Sequence, residues 1–166
     1  MKNKILLLIG LLFTVLLKVN SQQTVSDEGK RYTIEIPSGW VYAASKNVVV
    51  SVLICSDTIN ASERLNITDT KNPYNLEKAY KVNKDAFSGL KNFKVVQEGD
   101  GELGGQPSKW FIYTFTNKEG TVSMKGKQYT VKNSGRGFSI QYILKEARFD
   151  VVKETFEKAI STIKFK

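Results

Sequence analysis

Histidine is absent from all 166 residues. Without an imidazole, Ser-His-Asp and Cys-His catalysis, histidine metal sites and the usual proton shuttle near neutral pH are excluded. Cysteine occurs once, at Cys55, so no intrachain disulfide can form and the fold must rest on packing. Cys55 ends an apolar run that starts at Val48, and it reads as a core residue rather than a reactive nucleophile. Proline is scarce (3) and glycine moderate (12), which excludes collagen-like and broadly disordered classes. Phosphate-loop and dinucleotide fingerprints are missing as well: Gly99-x-Gly101 lacks a third glycine and a following helix. No motif nominates a Ser-Lys or paired-carboxylate hydrolase. The chain is therefore read as a non-enzyme, with no catalytic, cofactor-binding or metal-binding residues and no cofactor assigned.

What is present is 41% hydrophobic and 25% charged, enough apolar matter for one domain with one core. The first residues differ from the rest. Lys2 and Lys4 precede Ile5 to Leu17, an almost unbroken apolar run of 13 residues. That length suits a signal-peptide core of roughly 7–15 residues and falls short of the roughly 20 needed to span a membrane. Val19 and Ser21 sit at −3 and −1 of a cut before Gln22. Residues 1–21 are thus expected to be a signal peptide, with a retained N-terminal anchor as the alternative. No cysteine follows the run, so a bacterial lipoprotein anchor is excluded. No second hydrophobic span occurs, so no transmembrane segment is expected after signal removal, and export to the periplasm or beyond the cell is expected.

Removing residues 1–21 takes away Lys2, Lys4 and Lys18 and no acid, so 25 basic residues become 22 against 16 acidic, a net charge of +6. A moderately basic chain attracts anionic surfaces at long range. The lysines are spread out, however, without the arginine clusters and interleaved aromatics of a nucleic-acid surface. Nucleic acid is not an expected partner.

Residues 22–30 are polar and read as a flexible lead-in. Residues 31–166 read as a single domain. Tyr32, Ile34 and Ile36 alternate with Thr33 and Glu35, the pattern of a half-buried strand stopped by Pro37-Ser38-Gly39. Trp40 is expected to cover an edge of the core. In residues 48–54 both alternating faces are apolar, which predicts a strand covered on both sides. Helical spacing predicts a helix from Asn75, its N-cap, to Lys91, with a stripe of Leu76, Ala79, Tyr80, Ala86, Phe87 and Leu90. A second is predicted from Phe149 to Ile163, striped by Phe149, Val152, Phe156, Ile160 and Ile163. Lys78, Lys81 and Lys84 fall outside the first stripe, on a solvated face. Between the helices, strand-like runs 93–103, 109–115, 122–131 and 138–144 are separated by Gly104-Gly105-Gln106-Pro107, by Asn117 to Gly120, and by Gly135-Arg136-Gly137. Strands, helix, strands, helix predict an α+β fold with a mainly antiparallel β-sheet.

Two stretches are candidates for chemistry. Glu98, Asp100 and Glu102 lie at i, i+2 and i+4, so a continuous strand puts three carboxylates on one face, where a hard cation such as Ca²⁺ binds if enough oxygens converge. The competing reading is an acidic, solvated strand edge loosened by glycine. Gly135-Arg136-Gly137 can be an anion nest with an arginine clamp, or a turn that needs glycine freedom at the head of a strand. The alternation after Gly137 favours the turn. Asn60-Ala-Ser62 and Asn66-Ile-Thr68 fit the N-glycosylation sequon, and Asp57-Thr58-Ile59 is similar to a short O-glycosylation acceptor motif of Bacteroidetes-type bacteria.

Taken in order, Tyr32-Thr-Ile-Glu-Ile-Pro-Ser-Gly-Trp40, the run 48–53, the helix around Leu76 to Leu90, Gly104-Gly-Gln-Pro-Ser-Lys-Trp110, Gly135-Arg-Gly-Phe-Ser-Ile-Gln-Tyr142 and the ending Phe156 to Phe165 resemble PsbP-like proteins. That group is named for an extrinsic subunit of photosystem II. The resemblance covers most of residues 31–166 and implies an antiparallel sheet with helices on both faces, an α/β/α sandwich. It also implies an accessory or binding role, here as a bacterial exported member acting with a protein partner in the envelope. The group has no common active site, so no catalytic residue carries over. Photosystem binding is not inherited, because the leader looks like a bacterial secretory signal. A small-ligand or Ca²⁺-binding module is the alternative function.

Overall fold

Period-two alternation generates most of the strands. The computed structural model describes residues 23–27, 29, 31–37, 40–43, 52–55 and 64–166, with the backbone alone at 41–43 and 52–55. Along the chain these form β1 (Gln23–Ser26), β2 (Tyr32–Ile36), β3 (Val41–Ala43), β4 (Val52–Cys55), β5 (Arg64–Lys71), α1 (Leu76–Phe87), β6 (Lys94–Leu103), β7 (Gln106–Thr116), β8 (Ser123–Asn133), β9 (Arg136–Lys145), α2 (Glu146–Ser161) and β10 (Lys164–Phe165). Seven strands make one antiparallel sheet in the order β3-β4-β5-β9-β8-β7-β6, and β1-β2-β10 make a second. The fold is α+β and mainly antiparallel, as the element order predicts.

Register decides which side chains share a face. Trp110 lies opposite Tyr129, Tyr129 opposite Ile140, and Ile140 opposite Ile67. This row faces the main core, which α2 and the three-stranded sheet close. Tyr142 stacks on Phe149 and Phe156 of α2 with centroids at 5.8 and 5.0 Å. Tyr32 meets Phe138 edge-on at 6.1 Å, and Phe165 packs on Phe138 at 4.7 Å. Each such side chain contributes on the order of 1.5–3 kcal/mol by leaving water. The opposite face carries Phe111 and Tyr113 under Tyr80 and Phe87 of α1. Helices therefore lie on both faces, with the small sheet sharing the α2 side. Trp40 packs against Phe156 at 4.6 Å, on the edge of the core.

The differences from the sequence reading have physical causes. α2 runs Glu146–Ser161 rather than Phe149 to Ile163, because the Thr162 and Ile163 N–H groups close tight turns onto the Ala159 and Ile160 carbonyls and end it. Residues 23–26 form β1 rather than a lead-in, because they pair along β2 and bury Val25. α1 keeps its Asn75 cap, whose side chain accepts from the Lys78 N–H at 2.9 Å. It ends at Phe87 rather than Lys91, because Ser88 and Gly89 break into successive turns, which leaves Ala86 exposed. Residues 94–103 run as one strand through the glycines, with a bulge between Val95 and Gln97. The β6–β7 turn is Gly104-Gly105 alone, both at positive φ (58° and 76°), so Gln106 and Pro107 already belong to β7. The apolar run 48–54 contributes β4 from residue 52. Its residues 48–51, the side chain of Cys55, the leader 1–21, Asn60 and residues 57–59 lie outside the described set.

The Gly135-Arg136-Gly137 stretch is a hairpin. Ser134 and Gly135 adopt φ of 47° and 74° between the paired residues Asn133 and Arg136, the geometry of a two-residue turn that suits sheet twist. Arg136 turns inward to Asp69 at 2.5 Å. Asp69 also takes Arg31 at 2.7 Å, and Arg31 is held by the fully buried side chain of Asp27 at 2.6 Å. Burial opposes ionisation of Asp27, but hydrogen bonds from the Arg31 side chain and from the Arg31 and Tyr32 N–H groups outweigh it and hold its carboxyl below the ordinary aspartate value.

Two expectations follow. A Cβ at Gly135 would meet nothing within 4 Å, so Gly135→Ala should cost only the positive-φ penalty, about 1–2 kcal/mol, and Gly135→Asn less, by urea denaturation. Because the Asp27 carboxyl is lowered, its stabilisation is present above about pH 4 and lost as pH falls through its folded value. Asp27→Asn should therefore be less stable than the wild type at pH 7, with the gap closing toward pH 2 in urea midpoints measured across that range.

Candidate functional site

The uncovered part of the main core face is the place where side chains of different chemistry converge. α2 lies over β8 and β9, where Tyr142 stacks on Phe149 and Phe156. Between α2 and strands β6, β7 and β8 runs an open cleft of about 460 Å³, within the size range of small-ligand sites. β8 supplies Lys125 and Lys127 to its floor, β7 supplies Trp110 and Ile112, and β6 supplies Val96 and Gln97. The α2 wall carries Phe149, Asp150, Lys153, Glu154 and Glu157. Asp150, Glu154 and Glu157 recur at i, i+4 and i+7, so one flank of the helix presents three carboxylates. A second cleft of about 360 Å³ lies along the same helix, lined by Leu103, Gly104, Tyr129, Ile160 and again Glu157.

Glu157 is the hub between the two. Its Oε2 accepts from the Tyr129 hydroxyl at 2.5 Å and its Oε1 from the Tyr142 hydroxyl at 2.6 Å. The Lys127 ammonium stands 3.2 Å from Oε1. Burial, reinforced by the hydrogen bond to Glu157, raises the pKa of both phenols. Lys127 also lies over the rings of Trp110 and Tyr129, at 4.8 and 4.6 Å, a desolvated cation–π arrangement. Trp110 lies against Gly99 of β6, where a Cβ would come within 2.8 Å of the indole. Glycine there lets the indole lie across the neighbouring strand. Lys153 pairs with Asp150 at 2.6 Å, and Lys125 rests over the Phe149 ring at 4.6 Å.

The acidic row of β6 is elsewhere. Glu98, Asp100 and Glu102 are exposed, and Glu98 faces α1. Glu98 accepts from the Tyr80 hydroxyl at 2.6 Å and pairs with Lys84 at 2.8 Å. Asp100 pairs with Lys109 at 2.6 Å, and Lys109 also reaches Glu77 at 2.8 Å. These bonds push the Lys109 pKa up to about 12. The row is thus drawn into ion pairs with lysines, and among the described residues no group of three or more His, Cys, Asp or Glu is placed to hold a metal ion. Its letters fit a guarded sheet edge, since β6 ends the large sheet and charge on an edge strand discourages pairing with other chains. Arg136 is engaged by Asp69 and the turn before it is a hairpin, so the anion nest gives way to the turn. Asn66 is 6% exposed in the middle of β5, paired on both sides, where the folded chain has no room for a glycan.

The sequence reading missed Glu157, Lys127, Trp110, Tyr129 and Tyr142 as a group. The signal available was slight. Glu157 borders the apolar stripe between Phe156 and Ile160, and the lysines of β8 alternate with buried residues, but only the register brings them together.

Comparison with solved structures gives the fold a name. Cyanobacterial PsbP from Synechocystis sp. PCC 6803 superposes with a TM-score of 0.65 over 91% of this chain and 96% of its own, at 20% identity. The fold is PsbP-like. LpqN, involved in cell envelope biogenesis of Mycobacterium tuberculosis, matches with a TM-score of 0.66 over 88% of this chain and 91% of its own, at 9% identity. A protein from Bacteroides thetaiotaomicron matches at 0.62 and 10% identity over 87% of this chain, which spans 48% of that protein. No family model matches the sequence, and no curated protein sequence is significantly similar. Among the described residues, no helix is long and apolar enough to cross a membrane.

Removing the hub should loosen the wall of the cleft. Glu157→Ala strands two largely buried hydroxyls and a lysine, so a loss of about 2–4 kcal/mol is expected in equilibrium denaturation. Glu157→Gln keeps one acceptor oxygen and should lose less.

Proposed function

We propose that this protein is an exported, non-enzymatic accessory module of the cell envelope, and that it binds its partner through the cleft between α2 and strands β6 to β8. The observation that carries the reading is the cleft itself, where exposed Val96 and partly buried Trp110 and Ile112 lie beside a wall of charged side chains. Exposed apolar surface rimmed by polar groups is the usual mark of a binding face. Export is supported by the signal-like leader of residues 1–21. An envelope role is supported by the structural likeness to LpqN, and an accessory role by the likeness to cyanobacterial PsbP. The non-enzymatic reading is supported by the absence of histidine from the chain and by the engagement of Glu157 with two tyrosines and a lysine. That arrangement suits holding a helix in place better than moving a proton.

The test is site-specific photo-crosslinking in living cells of the source organism. Val96 lines the cleft and is 55% exposed; Lys81 lies on the exposed side of α1. A photoreactive residue at position 96 should give a discrete envelope adduct, and one at position 81 should not. Equal adducts from both positions, or none from position 96, would count against the cleft as the binding face.

A further inference from the structure

β6 ends the large sheet, and among the described residues its main chain bonds to no strand but β7. Along such an edge every second residue turns its N–H and C=O outward. Past the bulge, Gln97–Leu103 runs in unbroken register, about 20 Å of open ladder. Its two faces differ. Gln97, Gly99, Gly101 and Leu103 lie on the cleft face, and Glu98, Asp100 and Glu102 on the α1 face. Both clefts open along this strand, the larger at Val96 and Gln97 and the smaller at Glu102 to Gly105. On the α1 face, Lys84 and the Tyr80 hydroxyl share Oε2 of Glu98, and Lys109 takes Oδ1 of Asp100. The other oxygen of each has no partner among the described residues, and these side chains are 51% and 77% exposed. Lys109 is shared with Glu77, and Glu102 has no cation within ion-pair distance among the described residues. Four carboxylates against two lysines leave this edge acidic in a basic chain.

Resting on the reading of the cleft as the binding face, we infer that the protein partner enters as a β-strand. It is an extended segment of about seven residues that pairs along Gln97–Leu103 and alternates basic with apolar side chains. The basic side chains stand beside Glu98, Asp100 and Glu102. The apolar ones fall on the cleft face, where Gly99 and Gly101 offer no side chain and the Trp110 indole lies against both glycines, an aromatic surface for the incoming residues. A helical segment bonds its own backbone and could not use the open ladder. Charge decides against a second copy of this chain. An antiparallel copy centred on Asp100 sets Asp100 against Asp100 and Glu98 against Glu102, and a parallel copy in register sets like against like. The carboxylates that guard the edge against such pairing admit a strand of opposite charge.

Isothermal titration calorimetry on the purified protein tests this with three peptides of about seven residues, blocked at both ends: alternating lysine and valine, alternating glutamate and valine, and the lysine–valine peptide with proline at its centre. The lysine–valine peptide should bind on the order of tenfold more tightly than the glutamate form, although bulk attraction to a basic protein favours the acidic peptide. Proline removes a backbone donor and should weaken binding to a similar extent. Glu102→Gln should weaken the lysine–valine peptide about threefold with an unchanged melting temperature. Hydrogen exchange should slow in residues 97–103 when that peptide is bound. Equal binding of the two charge patterns, full binding of the proline form, slowing confined to other elements, or no binding of the lysine–valine peptide would each overturn the inference. If position 96 still crosslinks while that peptide fails to bind, the paired strand falls and the binding face stands. If neither occurs, both fall.

Discussion

Asp69 is a carboxylate on the apolar side of the main sheet, directly opposite Phe138 and 6% exposed. A buried charge in such a place must be compensated, because leaving it alone costs several kcal/mol. Compensation comes from two directions: Arg136 at the head of β9 and Arg31 at the entry to β2. Arg31 is in turn fixed by Asp27, which also accepts from the N–H groups of Gly29, Arg31 and Tyr32. The need to neutralise one carboxylate therefore positions the β1–β2 connection against the large sheet. Once it is there, Tyr32 meets Phe138, and Ile34 and Ile36 enter the core. The chain end then completes the seam, with the Lys166 N–H donating to the Arg31 carbonyl and β10 pairing along β2.

That seam explains which parts of the fold the residues reveal on their own. Elements defined by local periodicity are legible. β2, both helices and the strands around Trp110 and Ile140 follow from spacings of 2 and 3.6 in which burial answers the pattern almost residue by residue. β1 is not legible, because a strand of Gln, Thr, Val and Ser has no pattern of its own and exists through pairing along β2. The end of α1 is hidden for a similar reason: Leu90 keeps helical spacing but reaches the second cluster from a turn.

The same division holds for function. Glu98, Asp100 and Glu102 stand out in the sequence because their spacing is regular, and Gly135-Arg136-Gly137 because glycines flank a charge. Both prove to serve architecture, one at a guarded edge and one at a hairpin that sends an arginine inward. The residues that line the cleft belong to five separate elements, and no one spacing joins them. A local pattern can report an edge or a turn. It cannot report a site whose members meet only through strand register and the placement of a helix.

The cleft is itself a consequence of how unevenly the sheet is covered. α2 packs its aromatic stripe on Tyr142 and is tied down by the Tyr129–Glu157–Tyr142 cluster, so it sits over β8 and β9. β6 offers glycine at 99 and 101 on the same face, so no side chain rises from it opposite Trp110. Trp110 lies into the space those glycines leave, and Lys127 lies over it. A larger residue at 99 would push the indole up and fill the floor. The two glycines of β6 and the anchoring of α2 on the other half of the sheet together keep the groove open. Glu157 is the residue on which both the stability of the helix and the shape of that groove converge.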